Sequence, residues 1–159
     1  MPHIRDITIA VSLFCFATVC AAAQPAGSPS IVVHETEEDF EWVRNSLREA
    51  ITERGMIISG ELHLGDMLER TATDLGFDRP VYTRAESIEF CSALMSHRMA
   101  ASDPRNLVVC PFTVSVYSTV SAPDRVYVAF NPPSLLGNAD DVEVAIFEML
   151  DGIARQAIE

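Results

Sequence analysis

Two stretches in the last third of the chain, Phe112 to Thr119 and Arg125 to Phe130, alternate apolar and polar residues with a period of two. Phe112, Val114 and Val116 share one side of the first, and Val126, Val128 and Phe130 share one side of the second. Ala122-Pro123-Asp124 lies between them, so the pattern predicts an antiparallel hairpin turning there. A hairpin that is apolar on one side must bury that side, and helices are the usual cover. Everything else in the fold has to supply that cover or extend that sheet.

Two segments have the required apolar stripe. Phe40, Val43, Leu47 and Ile51 recur at helical spacing, with Gly55 placed to end the helix in a left-handed conformation. Thr36 offers an N-cap for it, followed by the acidic Glu37, Glu38 and Asp39, whose charge suits the first turn. The second helix closes the chain, with Val142, Ala145, Ile146, Met149, Leu150, Ile153 and Ala157 on one face and Asn138 as its predicted cap. Between them, Ile31 to Val33, Met56 to Leu62 and Ser87 to Cys91 read as strands. Met67, Leu68, Ala72 and Leu75 mark a short helix closed by Gly76, and Ala93 to Ala101 marks another before the Asp103-Pro104 breaker. There is no internal repeat. The sum is an α+β domain, a mostly antiparallel sheet with two longer helices packed on one face.

The N-terminus reads differently. Ile7 to Val19 is continuously apolar and Ala21-Ala22-Ala23 follows, the pattern of a secretory signal and its small-residue cleavage site. The expected organisation is therefore a signal peptide over residues 1–23, a Pro/Gly/Ser-rich leader over 24–30 and a single domain over 31–159. Cys20 follows the bulky Val19, which does not suit a lipidation site. The expected location is periplasmic or secreted. The chain carries a net charge of −12, and all 11 of its basic residues are Arg. Such a charge repels phosphate backbones and anionic lipid, so neither nucleic acid nor a membrane surface is an expected partner once the signal is removed.

Signal cleavage would remove Cys15 and Cys20 and leave Cys91 and Cys110, with 18 residues between them. Three roles are open to the pair. In an oxidising compartment it can be a disulfide, structural or redox-active, and a loop of this size would contribute about 3 kcal/mol. It can be two separate buried thiols. Or it can ligate a soft metal or haem iron, with Met95, His97 and Met99 as neighbouring donors, copper being the natural ion for that set. Cys91, Met95 and Met99 would share a face only if a helix began at Cys91. Neither Cys-x-x-Cys nor Cys-x-x-Cys-His occurs, and no hydrolase or phosphate-loop signature is present. His34 and His63 have Glu35 and Glu61 nearby in sequence, which in so acidic a chain is weak support for catalysis. Tyr117 and Tyr127 fall on the strand faces opposite the core valines, where they would line a ligand surface or the seam of a homodimer.

The ordered set of Phe40 to Gly55, Phe90-Cys91-Ser92-Ala93, Cys110-Pro111 leading into Thr113-Val114-Ser115-Val116-Tyr117, Val126 to Pro132 and the terminal helix resembles the domain of unknown function family 302. The resemblance runs over nearly all of Ile31 to Glu159. It implies an α+β fold similar to the TATA-binding-protein topology, without implying DNA binding. In the commoner family pattern Leu-Pro-Cys precedes the hairpin strand, whereas here the order is Cys110-Pro111-Phe112. The family has no settled activity. The reading that follows is a non-enzymatic binding or accessory module for a small ligand or protein partner, with the Cys91/Cys110 pair functional or structural. The alternatives are a thiol–disulfide redox protein and a soft-metal or haem protein.

Overall fold

The computed structural model describes residues 31–159. The signal peptide and leader expected over 1–30 lie outside the described residues. Five strands form one sheet: β1 (Val32–Thr36), β2 (Ile57–Leu62), β3 (Tyr82–Cys91), β4 (Phe112–Thr119) and β5 (Ala122–Phe130). Their order across the sheet is β1-β5-β4-β3-β2, and every neighbouring pair is antiparallel. The helices are α1 (Phe40–Glu53), α2 (Leu64–Ala72), α3 (Ala93–Ser102) and α4 (Asp140–Gln156). Short 3-10 helices occupy Thr73–Leu75 and Pro104–Val109.

The apolar periodicity translates directly into the core. Phe40, Val43, Leu47, Ala50 and Ile51 of α1 are buried, as are Val142, Ile146, Leu150, Ile153 and Ala154 of α4. They close over Ile88, Phe90, Val114, Val116, Val126, Val128 and Phe130, the core-facing side of the three central strands. Phe90 and Phe112 face each other in register, and their rings lie 6.0 Å apart. Gly55 ends α1 at φ 73°, in the left-handed region open to glycine.

Several local expectations are corrected. The cap of α1 is Asp39, whose Oδ1 accepts from the N–H groups of Glu41 (2.9 Å) and Trp42 (3.2 Å). Thr36 is instead the last residue of β1, and its hydroxyl accepts only from the Glu38 N–H at 3.3 Å. Asn138 does not cap α4. Ala139 occupies that position without a side-chain bond, and Asp140, Asp141 and Glu143 place negative charge at the positive end of the helix dipole. The hairpin turns at Val120-Ser121, because Thr119 already pairs with Ala122. Pro123 therefore lies inside β5. It is tolerated there because the β4 register is irregular at that point and β1 pairs only from Val126 onward, so no ladder bond is lost. Finally, β3 starts at Tyr82, five residues before the expected Ser87.

The second half of the molecule ties its loops through one buried amide. Asn106 is 2% exposed. Its Nδ2 donates to the carbonyls of Met99 (3.1 Å) and Leu136 (3.0 Å), and its Oδ1 accepts from the Leu136 N–H at 2.8 Å. This one side chain joins α3, the 3-10 helix Pro104–Val109 and the segment leading to α4. Gly137 follows at φ 83°, where a Cβ would stand 2.6 Å from the Ser102 carbonyl oxygen, so the close approach needs glycine.

Candidate functional site

Cys91 is the last residue of β3 and Cys110 the cap residue after the 3-10 helix Pro104–Val109, two positions before β4. Antiparallel pairing of Phe90 with Phe112 carries the end of one strand to the start of the next. The two thiols are consequently brought near each other, close enough for Cys110 to influence the titration of Cys91, and both are free. Both side chains are partly buried. The Ser96 hydroxyl donates to Cys110 Sγ at 3.7 Å. The Cys91 thiol is pushed up to about 11, first by hydrogen-bonding interaction with the nearby Cys110 side chain, then by burial, then by the negative charge that a Cys110 thiolate would place beside it. Neutral Cys91 is thus the favoured form at physiological pH. The Cys110–Pro111 peptide is cis. Beyond it, Val109, Pro111, Phe112, Asn131, Pro133 and Leu150 line a cleft of about 340 Å3.

The wider soft-donor set does not assemble. Helix α3 begins at Ala93, and Ser92 caps it by accepting from the Met95 N–H at 3.4 Å, so Cys91 is a strand residue and not part of the helical i, i+4 series. Met99 is 1% exposed within the core, and Met95 packs against that core from the side. His97 is exposed and stands about 200° around the helix from both methionines. Among the described residues, no group of three or more His, Cys, Asp and Glu side chains converges where it could hold a metal ion.

The remaining sequence candidates fall at three separate places. His34 bonds to Asp151 of α4 (2.8 Å) rather than to Glu35. Arg155 holds the Asp151 carboxyl below its usual range, burial opposes this, and His34 adds to the lowering. That group ties β1 to α4. Glu61 pairs with Arg48 of α1 rather than with His63. Tyr117 and Tyr127 are register partners on the side of the sheet away from the core, with rings stacked at 5.2 Å and Tyr82 meeting Tyr117 edge-on at 5.6 Å. Burial, then the neighbouring Tyr82 and Tyr127, raise the Tyr117 hydroxyl above its ordinary value.

One cluster was not anticipated. Glu86 of β3 is only 9% exposed, on the core-facing side of the sheet. Arg44 of α1 (3.6 Å), Arg84 (3.8 Å) and His63 (3.8 Å) surround its carboxylate. Arg44 and Arg84 also pair with Glu41, and Arg84 lies over the Phe40 ring, 4.0 Å from its centre. The sequence holds a signal for it: Glu86, Ile88 and Phe90 alternate, which puts a carboxylate in register with two core residues.

The domain is an antiparallel sheet covered on one face by two helices, and known proteins share that fold. The chain belongs to the family described as domain of unknown function DUF302, whose model matches residues 32–157. No curated protein matches. Among solved structures, the chain is similar to the crystal structure of an uncharacterized conserved DUF302 protein from Bacillus stearothermophilus. The TM-score is 0.66 at 13% identity, over 80% of this chain and 97% of that one. At that identity the likeness supports the fold, an α+β arrangement of the TATA-binding-protein-like kind.

Proposed function

We propose that this DUF302 domain is an exported, non-enzymatic binding or accessory module whose defining element is the Cys91/Cys110 dithiol, oxidised to a disulfide in its working compartment. The observation that carries the reading is the approach of two thiols from distant segments at one end of the sheet. Oxidation breaks two S–H bonds and forms one S–S bond. The two electrons and two protons pass to a partner disulfide, whose S–S bond breaks to give a dithiol. The bridge would staple the end of β3 to the start of β4 across the connection that carries α3.

A catalytic redox couple fits less well. Rapid exchange needs a thiolate at neutral pH, and Cys91 is shifted the other way, to about 11. A neutral Cys91 suits a slow, structural oxidation. Export rests on the apolar stretch Ile7 to Val19 and the small residues after it.

The test is thiol labelling with mass spectrometry on freshly exported protein, with and without reductant. The expected result is no label on Cys91 or Cys110 before reduction and two labels after it. Two labels without reductant would overturn the bridge. A reduction potential below about −300 mV would mark a structural bridge, and one well above it a working couple. N-terminal sequencing that found Met1 on the exported protein would remove the signal peptide.

A further inference from the structure

Glu86 lies five residues before Cys91, about 17 Å along the strand, on the opposite face. Its carboxylate reaches a groove of about 800 Å3 between α2, the segment after it and β3. That volume is in the range of sites for small organic ligands. The walls are mixed: Leu68 (45%), Leu75 (67%), Phe77 (65%) and Val81 (64%) offer exposed apolar surface, and Asp66, Glu69, Asp78 and Arg79 stand among them. Its polar end is formed by His63 and Arg84, which are partly exposed, and by the buried Glu86.

Two features show that this polar end is built but not internally satisfied. Glu86 is nine-tenths buried, yet all three of its cationic or titratable neighbours stand 3.6–3.8 Å away, beyond direct hydrogen-bond distance. Behind Glu86, outside the lining of the groove, the Arg44 Nε is a fully buried donor with no partner. Buried polar groups of this kind carry a cost unless something bonds to them.

We infer that the groove binds a small, neutral, apolar-bodied molecule through a head group that both donates and accepts hydrogen bonds, such as a carboxamide or hydroxyl. The carboxylate of Glu86 only accepts, and the guanidinium of Arg84 only donates. A head that does both bridges them. A carboxylate head would face Glu86 with Asp66, Glu69 and Asp78 around it, and an ammonium head placed against Glu86 would face the Arg84 guanidinium 3.8 Å from the same carboxylate. The apolar body lies against Leu68, Phe77 and Val81. This site is separate from the dithiol, so it stands or falls independently of the function proposed above.

The experiment titrates the isotope-labelled full chain with three probes that share a ring and differ in head: benzamide, benzoate and benzylammonium. Amide resonances of residues 63–65 and 82–86 report binding. Benzamide is expected to shift them saturably, and the two charged probes to bind about tenfold or more weakly, as like-charge juxtaposition requires. Glu86→Gln removes the repelling charge and is expected to raise benzoate relative to benzamide by about tenfold. Phe77→Ala, at an exposed position that folding does not need, is expected to weaken all three together. Absence of saturable shifts with benzamide overturns the proposal. So do equal affinities for the three heads, or a Phe77→Ala protein that binds benzamide as tightly as the parent. Should Glu86→Gln not fold, the head-group preference of the parent chain and the Phe77→Ala result still decide.

Discussion

At its C-terminal end, β3 delivers Cys91 to a neutral cluster; in its first half the same strand delivers Glu86 to a cluster of charges. The contrast lies in how each is held. Near the thiols, Asn106 makes three hydrogen bonds of 2.8–3.1 Å to backbone groups, and Ser92 and Ser96 direct their hydroxyls at the Met95 N–H and at Cys110. Around Glu86, the ionic neighbours stop 3.6–3.8 Å short and one guanidinium N–H is left unpartnered. The first end is satisfied from within, as a structural staple should be. At the second, Arg44 and Arg84 pair closely with Glu41, while the buried Glu86 carboxylate is held only by charge at a distance and keeps bonding capacity for a ligand.

The sharpest way to break this contrast is Asn106→Ala. It removes three hydrogen bonds and takes away the side-chain partner of the Leu136 N–H and carbonyl, while the Met99 carbonyl keeps its bond from the Asp103 N–H. The expected loss is about 3 kcal/mol, read from urea denaturation, and it should not depend on salt because no charge is involved. Labelling of the reduced thiols should become faster, since Cys110 directly follows the 3-10 helix that Asn106 anchors. A loss under about 1 kcal/mol would mean the thiol end is not held by this clamp.

Glu86→Gln is expected to cost less, about 1 kcal/mol, because the side chain keeps its shape and gives up no direct hydrogen bond. Its signature is salt dependence. Denaturation in 1 M salt, where the screening length falls to about 3 Å, should shrink the difference between parent and variant, while that for Asn106→Ala stays constant. A cost for Glu86→Gln that is as large as that of Asn106→Ala and unchanged by salt would erase the distinction between the two ends.

The same contrast explains what could be read before folding. The hairpin, both long helices and the core faces were legible because each is written as a local period: Val114 and Val116, Val126 and Val128, Val43 and Leu47, Ile146 and Leu150. The thiols were legible as a pair because cysteine is rare in the chain and their strand positions suggested adjacency. The first half of β3 was not, because Arg84 and Glu86 interrupt the apolar alternation that marks a strand. Glu41 and Arg44 come from α1, His63 from the α2 entry, and Arg84 and Glu86 from β3, so their convergence depends on tertiary packing alone. The wrong cap at Thr36 has a similar origin: Thr36 and Asp39 are both good cap residues, and only the extent of β1 decides between them.

The smallest expected effect separates the ends by pH. The folded chain holds Cys91 at about 11 against an ordinary thiol value of 9.0, so folding favours its neutral form. Below pH 9 the proton is bound in both folded and unfolded chains, and the contribution is fully present. Between about 9 and 11 the unfolded chain has released the proton and the folded chain has not, so stability falls as pH rises through that window. Tyr117, whose hydroxyl is also raised, adds a loss of the same sign above its own ordinary value of 10.0. Cys91→Ser removes the first contribution and leaves the second. Urea denaturation of the reduced proteins between pH 8 and pH 10 should therefore show a shallower decline for Cys91→Ser than for the parent, and no change of slope for Glu86→Gln. Identical slopes in parent and Cys91→Ser would mean that Cys110 does not influence the titration of Cys91 in the folded chain, and the proximity on which the dithiol reading depends would be lost.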